Sequence, residues 1–221
     1  MNGLRTIKLN VHRKSGGFTL VEMAVVLAIV ALLLGGLLPT ISSQVEQSRR
    51  NETRKYMNEV RDALLGYAIA NKYLPCPDNT NSGSAQITCA ATSVGTLPYK
   101  DLGVTDKDAY GSVLVYAVTP AFADSTTHFT LSTLGTMQVC TTATPPPPCS
   151  GATSLTQSAA AVIVSRGANW ATATSTDEIE NTNGNQYFVS HDFVQNGYDD
   201  LVVWISPNTL FNRMVAAGQL P

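Results

Sequence analysis

Gly16-Gly17-Phe18-Thr19-Leu20-Val21-Glu22 opens a run that reads FTLVEMAVVLAIVALLLGGLL from Phe18 to Leu38. A helix needs about 20 residues, at about 1.5 Å each, to cross a bilayer core, so this run is long enough for one passage. Arg5, Lys8, Arg13 and Lys14 precede it with no acid among them, which favours a cytoplasmic N-terminus. Arg49 and Arg50 lie beyond the span and oppose that bias from a greater distance. A secretory signal would be cut after its apolar core, at small residues. Here the small pair Gly16-Gly17 comes before the core, so a cut after Gly17 would leave the whole apolar helix on the mature chain.

Glu22 is the one charge inside the run. A carboxylate in a spanning helix costs a few kcal/mol and normally has a partner. If cleavage follows Gly17, Phe18 becomes a charged amino terminus and Glu22 stands one helical turn away as the fifth mature residue. In a stack of identical helices, the carboxylate of one subunit would neutralise the amine of the next. Each charge alone is costly in an apolar bundle, and paired they set the axial register. The rival is an uncut anchor with a tolerated Glu near the membrane surface.

Beyond Pro39 the pattern turns amphipathic. Ile41, Val45, Ser48, Tyr56, Val60, Ala63, Leu64, Tyr67 and Ala68 recur at three- and four-residue steps, and Glu46 and Arg50 stand in the favourable i,i+4 order. No Gly or Pro interrupts before Gly66, so one helix is expected from Phe18 to about Asn71, about 80 Å long at the standard rise. Arg49, Arg50, Arg54 and Lys55 form a basic cluster on it, expected as a solvated face, with contact to lipid headgroups or a neighbouring subunit as the alternative. Leu74-Pro75-Cys76-Pro77 ends the helix.

The remainder reads as a β-rich head over residues 74–221. Strands are expected at Ser112–Val118, Phe129–Ser132, Met137–Cys140, Ala160–Ser165, Gln186–Phe193 and Leu201–Ser206. No helix-sized pattern separates most of them, so an antiparallel sheet fits better than a βαβ array. Pro145–Pro148 reads as a stiff, exposed, extended segment. Ser206-Pro207 opens a short helix through Leu210, Phe211, Met214 and Val215, stopped by Gly218. The fold class is therefore α+β: a long N-terminal helix, packed through its amphipathic half on a small antiparallel sheet, with a short C-terminal helix. The segments are a leader over 1–17, a spanning helix over 18–38, a stalk over 39–73 and the head.

Composition narrows the functions available. The chain has 221 residues with a net charge of −2, and removing the leader cations leaves 10 basic residues against 16 acidic. An acidic body argues against a nucleic-acid groove, which needs clustered Lys and Arg. Cys76, Cys89, Cys140 and Cys149 include no CxxC pair and suit two disulfides in an oxidising compartment. Of three possible pairings, Cys76–Cys89 with Cys140–Cys149 is expected because each closes a short local loop. Asp78, Thr80, Ser82 and Gly83 fall at the spacing that opens a calcium loop, but the closing acid is missing and a disulfide-tied turn accounts for them. There is no GxSxG, GxxxxGK[ST] or HExxH. Ser190-His191-Asp192 holds the residue types of a triad, but neighbours on a strand point to opposite faces. No enzyme and no small-molecule substrate are expected.

The string Gly16-Gly17-Phe18-Thr19-Leu20-Val21-Glu22 closely resembles the processing site of type IV prepilins and type II secretion pseudopilins. The resemblance implies cleavage after Gly17 by a membrane prepilin peptidase, methylation of the new amine of Phe18, and a registry role for Glu22. It extends to Pro39, where many pilins carry a proline that kinks or loosens the helix. In the head, Asp108-Ala109-Tyr110-Gly111 with Val115-Tyr116, and Gly197-Tyr198-Asp199-Asp200 with Trp204, look like segments of the major type II secretion pseudopilin. In those proteins Ca2+ pins the C-terminal loops, which makes Asp199 and Asp200 the candidate ligands here. The chain departs from that pattern in its longer head, four cysteines and final helix, and so leans toward a minor, specialised subunit. The implied partners are the peptidase, other pilin or pseudopilin subunits and the inner membrane, with the head in the periplasm. A minor type IV pilus subunit serving adhesion, motility or DNA uptake is the alternative within the class. A membrane-tethered binding domain that keeps its leader is the alternative outside it.

Overall fold

The structure is a computed structural model that describes residues 16–89, 93–144, 148–149, 153–173, 175–195 and 197–220; in residues 36–41 and 93 the backbone alone is described. The leader up to Ser15 and most of the Pro145–Pro148 segment lie outside the described residues. Contacts divide the chain into two compact units, Met1–Glu46 and Gln47–Pro221.

Helix α1 runs from Leu20 to Asn71 without a break, through Pro39. Over residues 20–34 its apolar side chains are exposed around the helix, with Leu20 at 87% and Leu32 at 77%. In the second unit it buries one stripe, Thr53, Met57, Val60, Leu64 and Ala68, at steps of three and four residues. Each large apolar side chain on that stripe contributes about 1.5–3 kcal/mol by leaving water. The stripe starts earlier than its hydrophobicity suggests, because Thr53 and Arg50 are buried as well. Arg50 is thus not part of a solvated basic face: its guanidinium lies 4.2 Å from the centre of the Phe193 ring. Lys72, in the left-handed region at φ 69°, turns the chain out of the helix.

The head has two sheets. The first joins β1 (Ser93–Thr96), β2 (Val115–Val118), β5 (Ala161–Ser165) and β7 (Leu201–Ile205) in the order β1-β2-β5-β7, all antiparallel. The second joins β4 (Ser154–Ala159), β3 (Met137–Cys140) and β6 (Tyr187–Val189) in the order β4-β3-β6, with β3 and β6 parallel. Side-chain alternation on the first sheet explains how three layers stack. Tyr116, Val118, Ile163 and Ile205 face α1 and the final helix α4 (Pro207–Ala216). Ala117, Val162, Val164, Val202 and Trp204 face Met137, Val139 and Phe188 of the second sheet. Tyr116 is fully buried, and its hydroxyl donates to the Pro75 carbonyl at 3.1 Å, which ties the first sheet to the segment leaving α1.

Several expected strands are found, shortened at their ends, and Met137–Cys140 has the expected bounds. Phe129–Ser132 is a loop instead: Phe129 is buried against Phe122 and Phe211, so one anchoring ring gave the segment its apolar character. The expected antiparallel sheet is the four-stranded one, and the second sheet adds to it a strand, β6, that returns beside β3 in parallel after β4, β5 and the short helix α3 (Thr176–Glu180). A second short helix, α2 (Tyr99–Leu102), follows β1. Helix α4 has the expected ends: Ser206 caps it by accepting from Thr209 N at 3.2 Å, Pro207 takes the first position, and Gly218 follows at φ 70°.

Candidate functional site

Two places in the chain hold groups that the fold itself does not use up. The first is the N-terminal segment. Gly16 to Thr19 are exposed and outside the helix, and α1 begins at Leu20. Among the described residues, a side chain added at Gly16 or Gly17 would meet nothing within 4 Å, so crowding does not require glycine there. Glu22 is exposed on the first turn, and its Oε2 accepts from Thr19 N at 3.3 Å. Among the described residues no helix is long and apolar enough to cross a membrane. The sequence continues the apolar run to Leu38 through residues of which the backbone alone is described.

The second place is a carboxylate cluster where the loop after β5, helix α3 and the entry to β7 meet. Glu178, Asp199 and Asp200 each bring a carboxylate oxygen within 4.8 Å of the others. Ser175 caps α3 by accepting from Glu178 N, so that Glu178 sits in the first turn and points inward, 1% exposed. Gly167, at φ 59°, lets the loop wrap Asp199, and a Cβ there would stand 2.1 Å from Asp199 Oδ1. The amides of Ala168 and Asn169 then donate to Asp199 Oδ2 at 2.8 and 3.3 Å. Glu178 Oε1 accepts from Asn169 Nδ2 at 3.0 Å and from Asp199 N at 3.1 Å. Asp200 Oδ2 accepts from Asn181 Nδ2 at 2.8 Å.

What remains is a set of buried oxygens without donors. Glu178 Oε2, Asp200 Oδ1 and Asn169 Oδ1 are buried with no hydrogen-bond partner among the described residues. Burial, with the charges of Glu178 and Asp199 adding to it against the Asn181 bond and Arg166, pushes the Asp200 carboxyl up to about 7. An oxygen-only set of this kind fits a hard divalent cation such as Ca2+, with further oxygens needed from carbonyls or water. Asp199 and Asp200 were expected in such a set. Glu178, Asn169 and Asn181 were not, because their spacing in the sequence matches no metal motif.

Other candidates from the sequence have structural partners. Cys76 pairs with Cys89 and Cys140 with Cys149. Asp78, 1% exposed, accepts from Thr80 N, the Thr80 and Ser82 hydroxyls and Gly83 N, so its carboxylate is filled by its own loop. Burial opposes its charge, but those bonds hold it below the usual carboxylate range. Asp108 likewise closes its own turn, accepting from Tyr110 N and Ser112 N, and takes the Ser165 hydroxyl at 2.6 Å. His191 turns to Asp177 at 3.2 Å and lies 3.8 Å from the Tyr198 ring, centre to centre.

A family model described as the prokaryotic N-terminal methylation motif matches residues 12–38. The chain carries a prepilin-type methylation motif, consistent with the type IV pilin and pseudopilin family. That motif supports a prepilin-peptidase substrate and points to a structural subunit. No curated protein and no solved structure matches the chain.

Asp200 gives a pH test. A carboxyl that binds its proton more tightly folded than unfolded loses stability as pH rises from about 4, its unfolded pKa, to about 7. In calcium-free buffer, Asp200→Asn is expected to remove most of that decline and to melt higher than the parent at pH 7.5. Equal pH slopes for the two proteins in thermal unfolding would contradict this.

Proposed function

We propose that the chain is a subunit of an extracytoplasmic filament, most specifically a component of a type II secretion pseudopilus that aids protein export. The observation that carries this reading is the methylation motif over residues 12–38, set at the start of a helix whose apolar side chains are exposed. The glycines before it support the same reading, because a backbone that carries no side chain and is exposed among the described residues suits a groove in another protein. In this account the peptidase cuts after Gly17, the Phe18 amine is methylated, and the helix anchors the subunit in the inner membrane. The N-terminus faces the cytoplasm and the head the periplasm. Assembly transfers the apolar half of α1 from lipid to neighbouring helices, and the Glu22 carboxylate meets the amino terminus of a neighbour there. Pro39 removes one backbone bond just past the spanning run, which eases bending of the helix as subunits pack. A minor type IV pilus subunit would share all of these steps.

The test separates a subunit from a tethered binding domain. Glu22→Gln, expressed in the host, is expected to be cleaved yet to fall at least tenfold in filaments sheared from cells or induced to elongate. Recovery of the variant in filaments at the parental level would favour the tethered domain.

A second reading concerns the head, and the three donor-less oxygens favour it. We propose that Glu178, Asp199, Asp200 and Asn169 hold Ca2+, joining the loop after β5, α3 and the entry to β7. Calcium at a hundredfold excess over its dissociation constant adds about 2.7 kcal/mol. The melting temperature is therefore expected to rise by several degrees with Ca2+, and Glu178→Gln to abolish most of the rise. No change in the parent on adding Ca2+ would end this reading.

A further inference from the structure

Glu22 makes contacts within its own chain that a registry role does not require. Its backbone N–H donates to Thr19 Oγ1 at 3.2 Å, and its Oε2 accepts from Thr19 N at 3.3 Å. Met23 N donates to the Thr19 carbonyl at 3.2 Å, the first bond of the helical ladder. Thr19 is therefore the N-cap, Glu22 is the third helical residue, and the two bond reciprocally as a capping box. Such a box satisfies donors that the first turn would otherwise leave open, a pressing need where water is scarce.

We infer that Thr19 is a positioning residue for the proteolysis of this chain: the Thr19–Glu22 box fixes the start of α1 and holds the Gly17–Phe18 bond outside it. The inference rests on the reading that a peptidase cuts after Gly17. Hydrolysis there adds water across one amide: the Gly17–Phe18 C–N bond breaks, the water oxygen stays on Gly17 as a carboxylate, and Phe18 leaves as an ammonium. Attack on the carbonyl carbon needs a backbone that is exposed and free of helical bonding, as in the segments where proteolysis concentrates. Gly16 to Thr19 have that form here, exposed and non-helical. Two devices keep it so. The glycines make helix costly on the upstream side, by about 1 kcal/mol each relative to Ala. The box satisfies the first turn on the downstream side, so the helix gains little by growing back across Phe18. Among the described residues the side-chain bonds of Glu22 end on Oε2, which leaves Oε1 of this exposed residue for a neighbour. One carboxylate can thus serve processing first and assembly afterwards.

The experiment is cleavage of the full-length chain in lipid nanodiscs by purified prepilin peptidase, with hydrogen exchange at residues 18–23 as a second readout. Thr19→Val keeps the shape and loses the cap; Thr19→Ser and Thr19→Asp keep a cap with different shapes. The expected result is a fall of about fivefold in kcat/KM for Thr19→Val, the scale of one lost cap. Thr19→Ser and Thr19→Asp stay within about twofold of the parent, and exchange protection in Thr19→Val shifts toward Phe18. Adding Glu22→Ala to Thr19→Val is expected to cost little more, since both break one unit. Parental cleavage of Thr19→Val, or equal loss in all three Thr19 variants, overturns the inference while leaving Gly17 as the cut site. A parent chain that is not cut at all overturns the processing reading itself.

Discussion

The rest of the structure depends on one helix meeting two surroundings. Over residues 20–34 α1 carries apolar side chains that the described residues leave exposed, and from Thr53 it buries a single stripe against a sheet. Exposed apolar surface of this extent marks an interaction site, and it suits lipid or other helices. The second half fixes the head: Met57, Val60, Leu64 and Ala68 form the floor on which Tyr116, Ile163 and Ile205 pack. One covalent element therefore presents an exposed apolar surface at one end and organises the head at the other.

The order of layers follows from that floor. The first sheet uses one side chain in two for α1 and α4 and the other for the second sheet, so it is buried on both faces. β5, in the middle, is buried at every position. The second sheet packs on the first through Met137, Val139 and Phe188, with α3 beside β6, and it brings Cys140 beside Cys149, Val189 and Tyr198 in a small separate core. The carboxylate cluster sits where Asn181 bonds both Val189 and Asp200, at the junction between that core and the entry to β7. A cation at this junction would tie together loops that carry little apolar packing of their own.

Much of the N-terminal half was legible in the sequence because the signals there are local. A continuous apolar run, a proline-free amphipathic repeat and Leu74-Pro75-Cys76-Pro77 define α1 to within two residues at its start. The capping residues of α4, Ser206 and Pro207, are equally local. The second sheet was not legible, since β3 and β6 pair across nearly fifty residues and each is short. Phe129 misled for a related reason: a single buried ring in a loop imitates the apolar beat of a strand. Arg50 reads as a surface cation because nothing near it in sequence reveals that Phe193 lies over it. Of the carboxylate cluster, Asp199 and Asp200 could be found from the sequence. Glu178 could not, because α3 is a five-residue helix set in a polar run of Ser, Thr, Asn and Asp.

If the proposed leader removal frees this helix for assembly, the mature N-terminus is its most direct witness. Intact mass and N-terminal peptide analysis of the protein from membranes of its own host should find a chain starting at N-methylated Phe18. A chain that still begins at Met1, in cells with an active prepilin peptidase, would contradict the account and leave an anchored domain in its place.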